Sequence, residues 1–133
     1  MQKSQKGFTL IELVVVIVLL GILGVTALAK FQDLSLEAQN AANSGIASEL
    51  SSSSSINYAA AILGVAGATA INTTTETCIG VAGALFATGI PTGYQILPAG
   101  NNDCTTLVSF TCTVDNIANT SDTPVTSTIL CTP

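Results

Sequence analysis

Three residues near the start of this chain have the types and spacing to do chemistry: Gly7, Phe8 and Glu12. Gly7 offers a cuttable peptide bond, and hydrolysis after it turns the neutral amide of Phe8 into a free ammonium. Phe8 and Glu12 stand at i and i+4, one turn apart on a helix, so the cut creates a positive charge beside a negative one. The ammonium can equally meet Glu12 of a neighbouring chain, and in low-dielectric surroundings such a pair is far stronger than in water. Glu12 needs a partner of this kind, because a carboxylate on an apolar helix in a bilayer costs about 2.5–3.5 kcal/mol on insertion scales. A change of covalent state at Phe8 is therefore expected to license assembly.

The segments that must position these residues follow from the flanks. Met1 to Gly7 is a short polar leader carrying Lys3 and Lys6, and Leu13 to Ala29 runs without a charge, which predicts a membrane segment with a positively charged inner flank. No proline occurs before Pro91, and Asp33 to Leu50 is rich in Ala, Leu, Glu and Gln, so the helix is expected to continue to about Asn57 with an amphipathic second half. Ser51 to Ser55 stays within it, because serine is only mildly unfavourable in a helix. The domains expected are a leader (1–7), an apolar helical half (8–29), an amphipathic helical half (30–62) and a globular head (63–133).

Lys6-Gly7-Phe8-Thr9-Leu10-Ile11-Glu12-Leu13, with the apolar run Val14 to Leu23, resembles the class III signal of type IV prepilins. Ala29-Lys30-Phe31-Gln32-Asp33-Leu34 is similar to the mannose-sensitive haemagglutinin group of pilins. The resemblance covers roughly the first 35 to 60 residues. It implies that a membrane prepilin peptidase cuts at Gly7 and methylates Phe8, that Glu12 docks one subunit on the next, and that the partners are like subunits and the pilus assembly machinery. It further implies a precursor in the bacterial inner membrane and an extracellular filament serving adhesion or motility, with a type II secretion pseudopilin as the alternative. One departure stands out: the family's frequent proline near the end of the apolar half is Ala29 here, which leaves Gly21 and Gly24 as the weak points of the helix.

A second reading of the same stretch is an ordinary secretory signal, cut after Ala29 in Ala27-Leu28-Ala29 and leaving Lys30 as the first residue of a secreted module. Such a signal has no use for Glu12, and its apolar region usually spans only about 7 to 15 residues.

Composition bounds the rest. Among 133 residues aromatics are 5% and tryptophan is absent, so the head can build only a small core and extra staples are expected. Cys78, Cys104, Cys112 and Cys131 all lie on the exported side of the membrane run, where oxidation is expected. Three pairings are open. The one expected is Cys78 with Cys104, tying down a glycine-rich excursion, and Cys112 with Cys131, bracketing a strand pair.

The fold class expected is α+β, a long N-terminal helix on a small antiparallel sheet with disulfides. Its strands are placed at Tyr94–Leu97, Leu107–Val114 and Val125–Cys131, and a short helix around Val81–Ala87. Asp115 to Pro124 is expected as an exposed hairpin loop.

The same inventory excludes several functions. With no histidine and no CxxC there is no zinc set, no base for a catalytic cysteine and no Ser-His-Asp arrangement, so neither an enzyme nor a cofactor or metal is expected. Once Lys3 and Lys6 are removed, Lys30 faces eight acids, minus seven from side chains, which argues against nucleic acid as a partner. Asn101, Asn102 and Asp103 give only one carboxylate toward calcium. Asn72-Thr73-Thr74 and Asn119-Thr120-Ser121 match the glycosylation acceptor pattern, which in a threonine-rich chain reads better as surface loop.

Overall fold

The structure, a computed structural model, describes residues 7–72, 77–118 and 123–133. Lys3 and Lys6 of the expected leader, the threonines of the first acceptor pattern and the whole of the second lie outside the described residues. Helix α1 spans Leu10–Ile62, and the chain divides into two units, Met1–Ser35 and Leu36–Pro133.

In the first unit α1 runs through Gly21, Gly24 and Ala29 without interruption. All its large apolar side chains from Leu10 to Leu34 are exposed, and it is long and apolar enough to cross a membrane. Thr26, the one hydroxyl in the apolar run, donates to the carbonyls of Leu23 (2.9 Å) and Ile22 (3.4 Å), so its polar atom is satisfied within the helix.

In the second unit α1 continues through the serine tract as expected and stops after Ile62. The stop is a Schellman arrangement: Val65 N–H donates to Ala60 C=O (2.9 Å) and Gly64 N–H to Ala61 C=O (3.1 Å), with Gly64 at φ +65°. A side chain at that φ would be strained, so glycine is required there.

Helix α2 spans Cys78–Leu85, and strands β1 (Tyr94–Pro98), β2 (Ser109–Asn116) and β3 (Val125–Leu130) form an antiparallel sheet in the order β1-β2-β3. Alternation along β2 sends Phe110, Cys112 and Val114 inward, where they meet Ile96, Ile129, Val81, Ala82, Leu50 and Ile71 in one buried cluster. The short helix starts three residues before its expected position because Thr77 caps it. The Thr77 hydroxyl accepts from Gly80 N–H (3.1 Å), and a Cβ on Gly80 would meet that hydroxyl at 2.7 Å. Strand β2 begins two residues later than expected. The Asp103 carboxylate accepts from the Thr105 hydroxyl (2.6 Å) and N–H (2.9 Å), and Leu107 N–H donates to Asp103 C=O (3.1 Å), which winds Leu107 into a turn. At its far end β2 gains Asp115 and Asn116, which pair with Gln95 and Tyr94 of β1.

All four cysteines are bonded, but not as expected: the bridges are Cys78–Cys112 and Cys104–Cys131. The sheet register is the reason. It sets Cys112 opposite Ser127, whereas Cys131 N–H donates to the C=O of Val108, just before β2 and four residues from Cys112. Four strand residues span about 13 Å, beyond the reach of a disulfide. Cys112 instead points into the core toward the first residue of α2, with a Cα separation of 5.7 Å from Cys78. Cys131, just past β3, meets Cys104 in the turn before β2 at 5.4 Å.

Strand β3 is the sheet edge that α1 covers, and the cover is polar. Thr128 N–H donates to the Ser51 hydroxyl (3.1 Å) and Leu130 N–H to the Ser54 hydroxyl (2.8 Å), while Thr132 N–H reaches Ile71 C=O (2.8 Å). At the two ends of this row Thr123 N–H donates to the Asn40 side-chain oxygen (3.0 Å), and Asn57 exchanges two hydrogen bonds with the backbone of Thr69 (2.7 and 2.8 Å). Short polar side chains at successive turns of one helix thus occupy edge donors that would otherwise invite another strand. The serine tract is this seam.

Candidate processing and assembly site

Gly7, Phe8 and Thr9 precede the helix, and Leu10 is its first residue. Thr9 is the N-cap. Its carbonyl accepts from Leu13 N–H (3.3 Å), the first bond of the helix. Its side chain and that of Glu12 then bond reciprocally across the first turn. Thr9 N–H donates to Glu12 Oε2 (2.9 Å), the Thr9 hydroxyl donates to the same oxygen (2.8 Å), and Glu12 N–H points at Thr9 Oγ1 (3.4 Å). This is a capping box, the T-x-x-E pattern in which a hydroxyl and a carboxylate satisfy the free N–H groups at a helix start.

The arrangement corrects the geometry expected from spacing alone. Phe8 does not sit one helical turn below Glu12, because helical backbone begins only at Leu10 and Phe8 lies before the cap. Thr9 stands between the two residues and already engages the carboxylate. Sequence reasoning passed over Thr9, although the signal was present: Thr9-Leu10-Ile11-Glu12 in front of an apolar run. The negative carboxylate also lies at the positive end of the α1 macrodipole, where it is stabilised.

Gly7 is exposed, and a Cβ there would meet nothing within 4 Å, so the backbone on either side of the Gly7–Phe8 bond is open to a hydrolase. Phe8 is 94% exposed and forms, with Ile11, Glu12, Leu13, Val15 and Val16, a shallow groove along the first turns. A phenylalanine before the cap and Leu13 four residues after it also have the placement of a hydrophobic staple, which fixes the angle at which the chain joins the helix. Gly7, Phe8 and Glu12 therefore gather at the first turn of α1, while the four cysteines belong to the second unit. Lys30, the one basic side chain among the described residues, forms an exposed pair with Asp33 at 3.9 Å. No cluster of three or more metal-ligating side chains occurs among the described residues.

Comparison with known proteins agrees with this placement. Residues 2–28 match the model of the prokaryotic N-terminal methylation motif, the class III signal of type IV pilin-like prepilins. That stretch holds Gly7, Phe8, the capping box and most of the uncharged run. No solved structure matches the chain.

Proposed function

We propose that this chain is the structural subunit of a type IV pilus that serves adhesion or motility, made as an inner-membrane precursor. Prepilin peptidase cuts it between Gly7 and Phe8 and methylates the new amine, and the subunit then passes into a surface filament. The observation that carries the reading is the methylation motif over residues 2–28, on a helix whose apolar side chains are all exposed through Leu34. So large an apolar surface needs a cover. Lipid supplies it before assembly and the matching helices of other copies after it. The run Ala29 to Leu34 adds the resemblance to the mannose-sensitive haemagglutinin pilins, and the role needs no catalytic group.

Glu12 is the docking group in this reading. In the bilayer its carboxylate is held by Thr9 of its own chain. In the filament it takes in addition the ammonium that the cut has made at Phe8.

Intact mass and N-terminal sequence of the exported chain test the proposal. The expected product begins at a methylated Phe8 and is recovered in sheared filaments. A mature chain beginning at Lys30 overturns the reading in favour of a secreted module. Loss of protein secretion without loss of surface fibres, in cells lacking the subunit, assigns it to a secretion pseudopilus instead.

A further inference from the structure

We infer that Thr9 is the positioning residue for assembly, acting through Glu12. The inference rests on the pilin reading above and deepens it. At the start of α1 both donors of Thr9, its N–H and its hydroxyl, converge on one carboxylate oxygen of Glu12, Oε2, at 2.9 and 2.8 Å. Oε1 takes no part in the box, and Glu12 is exposed. A glutamate side chain turns freely about three bonds, and fixing it against the helix start removes that freedom before any second chain arrives. The division of labour is chemical: one oxygen is spent on holding the side chain and satisfying helix donors, the other is presented in a fixed direction to the Phe8 ammonium of a second copy. The capping box also keeps the carboxylate hydrogen-bonded while the chain waits in lipid, where no water can solvate it.

The argument separates the two donors of Thr9. The N–H contact belongs to the backbone and survives any substitution except proline. The hydroxyl contact is removed in Thr9→Val, which keeps the branched shape, and kept in Thr9→Ser.

Two measurements on the full-length chain test the role. The first follows the infrared carboxylate stretch of Glu12, isotope-labelled at its side-chain carbon, in the cut chain in detergent micelles. Thr9→Val is expected to shift that band, and Thr9→Ser to leave it in place. The second is sheared-filament yield in cells lacking the original subunit, divided by the amount of subunit that begins at Phe8, so that slower cutting does not count. Thr9→Val is expected to lower this ratio about tenfold, as loss of a hydrogen bond to a charged group does, and Thr9→Ser to restore it to within about twofold.

An unshifted band in Thr9→Val overturns the inference whatever the yield, because Thr9 then does not act through Glu12. A shifted band with undiminished yield overturns it equally, because the contact then has no part in assembly. Failure of the underlying reading looks different: the unsubstituted chain itself gives no filaments, and the inference falls with it even if the band shifts.

Discussion

Helix α1 is one element by backbone and two by surface. From Leu10 to Leu34 it exposes every large apolar side chain, and the polar contacts it shows are local ones, the Thr9–Glu12 box, the Thr26 hydroxyl and the exposed Lys30–Asp33 pair. From Asn40 to Asn57 the pattern is inverted: short polar side chains point at protein and bond to the backbone of the β3 edge and of the segment after the helix. Composition alone would have put the serines in water and the leucines in a core. The difference shows that placement follows from what lies opposite. An edge strand offers N–H groups that need oxygen acceptors, whereas a membrane or a second apolar helix offers only hydrocarbon.

The sharpest way to break the comparison is to remove Glu12, the one charged side chain between Phe8 and Ala29. Glu12→Val should insert and be cut at least as readily as the original, since it lowers the cost of entering lipid. Filament yield should fall to near zero, because the Phe8 ammonium is then buried without its counter-charge, a loss of about 3–5 kcal/mol for a broken buried pair. Unchanged sheared-filament levels beside normal amounts of processed subunit would remove Glu12 from the docking role.

In the head, Cys112→Ser should cost about 2–5 kcal/mol, read as a drop in melting temperature of the exported chain, because it frees α2 from the middle of the sheet. Peptide mapping of the original should recover Cys78 linked to Cys112. A Cys112–Cys131 peptide would contradict the register given above.

Smaller still is the seam. Ser54→Val leaves Leu130 N–H without its acceptor at a fully buried position and should destabilise by about 1–3 kcal/mol. Ser52→Val, two residues away and exposed, should stay within about 0.5 kcal/mol. Equal effects from the two would show that the serine tract acts by composition rather than by position.

The smallest expected effect is electrostatic. The Thr105 hydroxyl, and then its N–H, hold the Asp103 carboxyl below its usual range. A carboxyl depressed in the folded state contributes stability above its unfolded pKa, near 3.9, and that contribution is lost as pH falls through the lower folded value. Acid titration of stability should therefore flatten slightly in Asp103→Asn below about pH 4. An identical acid limb in both proteins would remove this turn from the account.

Much of this fold was legible from residue types. The uninterrupted helix, its passage through five serines and the three strands all follow from propensity and alternation, because each depends on neighbours in sequence. The expected features that failed depend on neighbours in space. Cysteine pairing is decided by the register that sets Cys112 opposite Ser127, and no spacing in the chain reveals that register. Leu107 and Val108 have strand composition but are held outside β2 by the Asp103 turn. Of the candidate site, Gly7, Phe8 and Glu12 stand out in the sequence by type and spacing, and the structure places them together at the start of α1. Thr9 carries an equally local signal, the T-x-x-E pattern, and Thr77 carries one in its capping hydroxyl at the start of α2; both depend on the cap rather than on charge.

The polar seam also has a consequence for timing. Ser54 meets Leu130, and Asn40 meets Thr123, across 76 and 83 residues of chain. A chain that crosses a membrane in order delivers the helical side of the seam long before residues 123–132 arrive, so those serines and asparagines must first wait in water. That is the one setting, besides an edge strand, in which they are well solvated. Had the same positions been leucine, the emerging helix would have carried an adhesive stripe throughout export. In an export of that order, hydroxyls and amides leave the helical side of the seam without such a stripe, and closure of so long a loop comes as a late step of head folding.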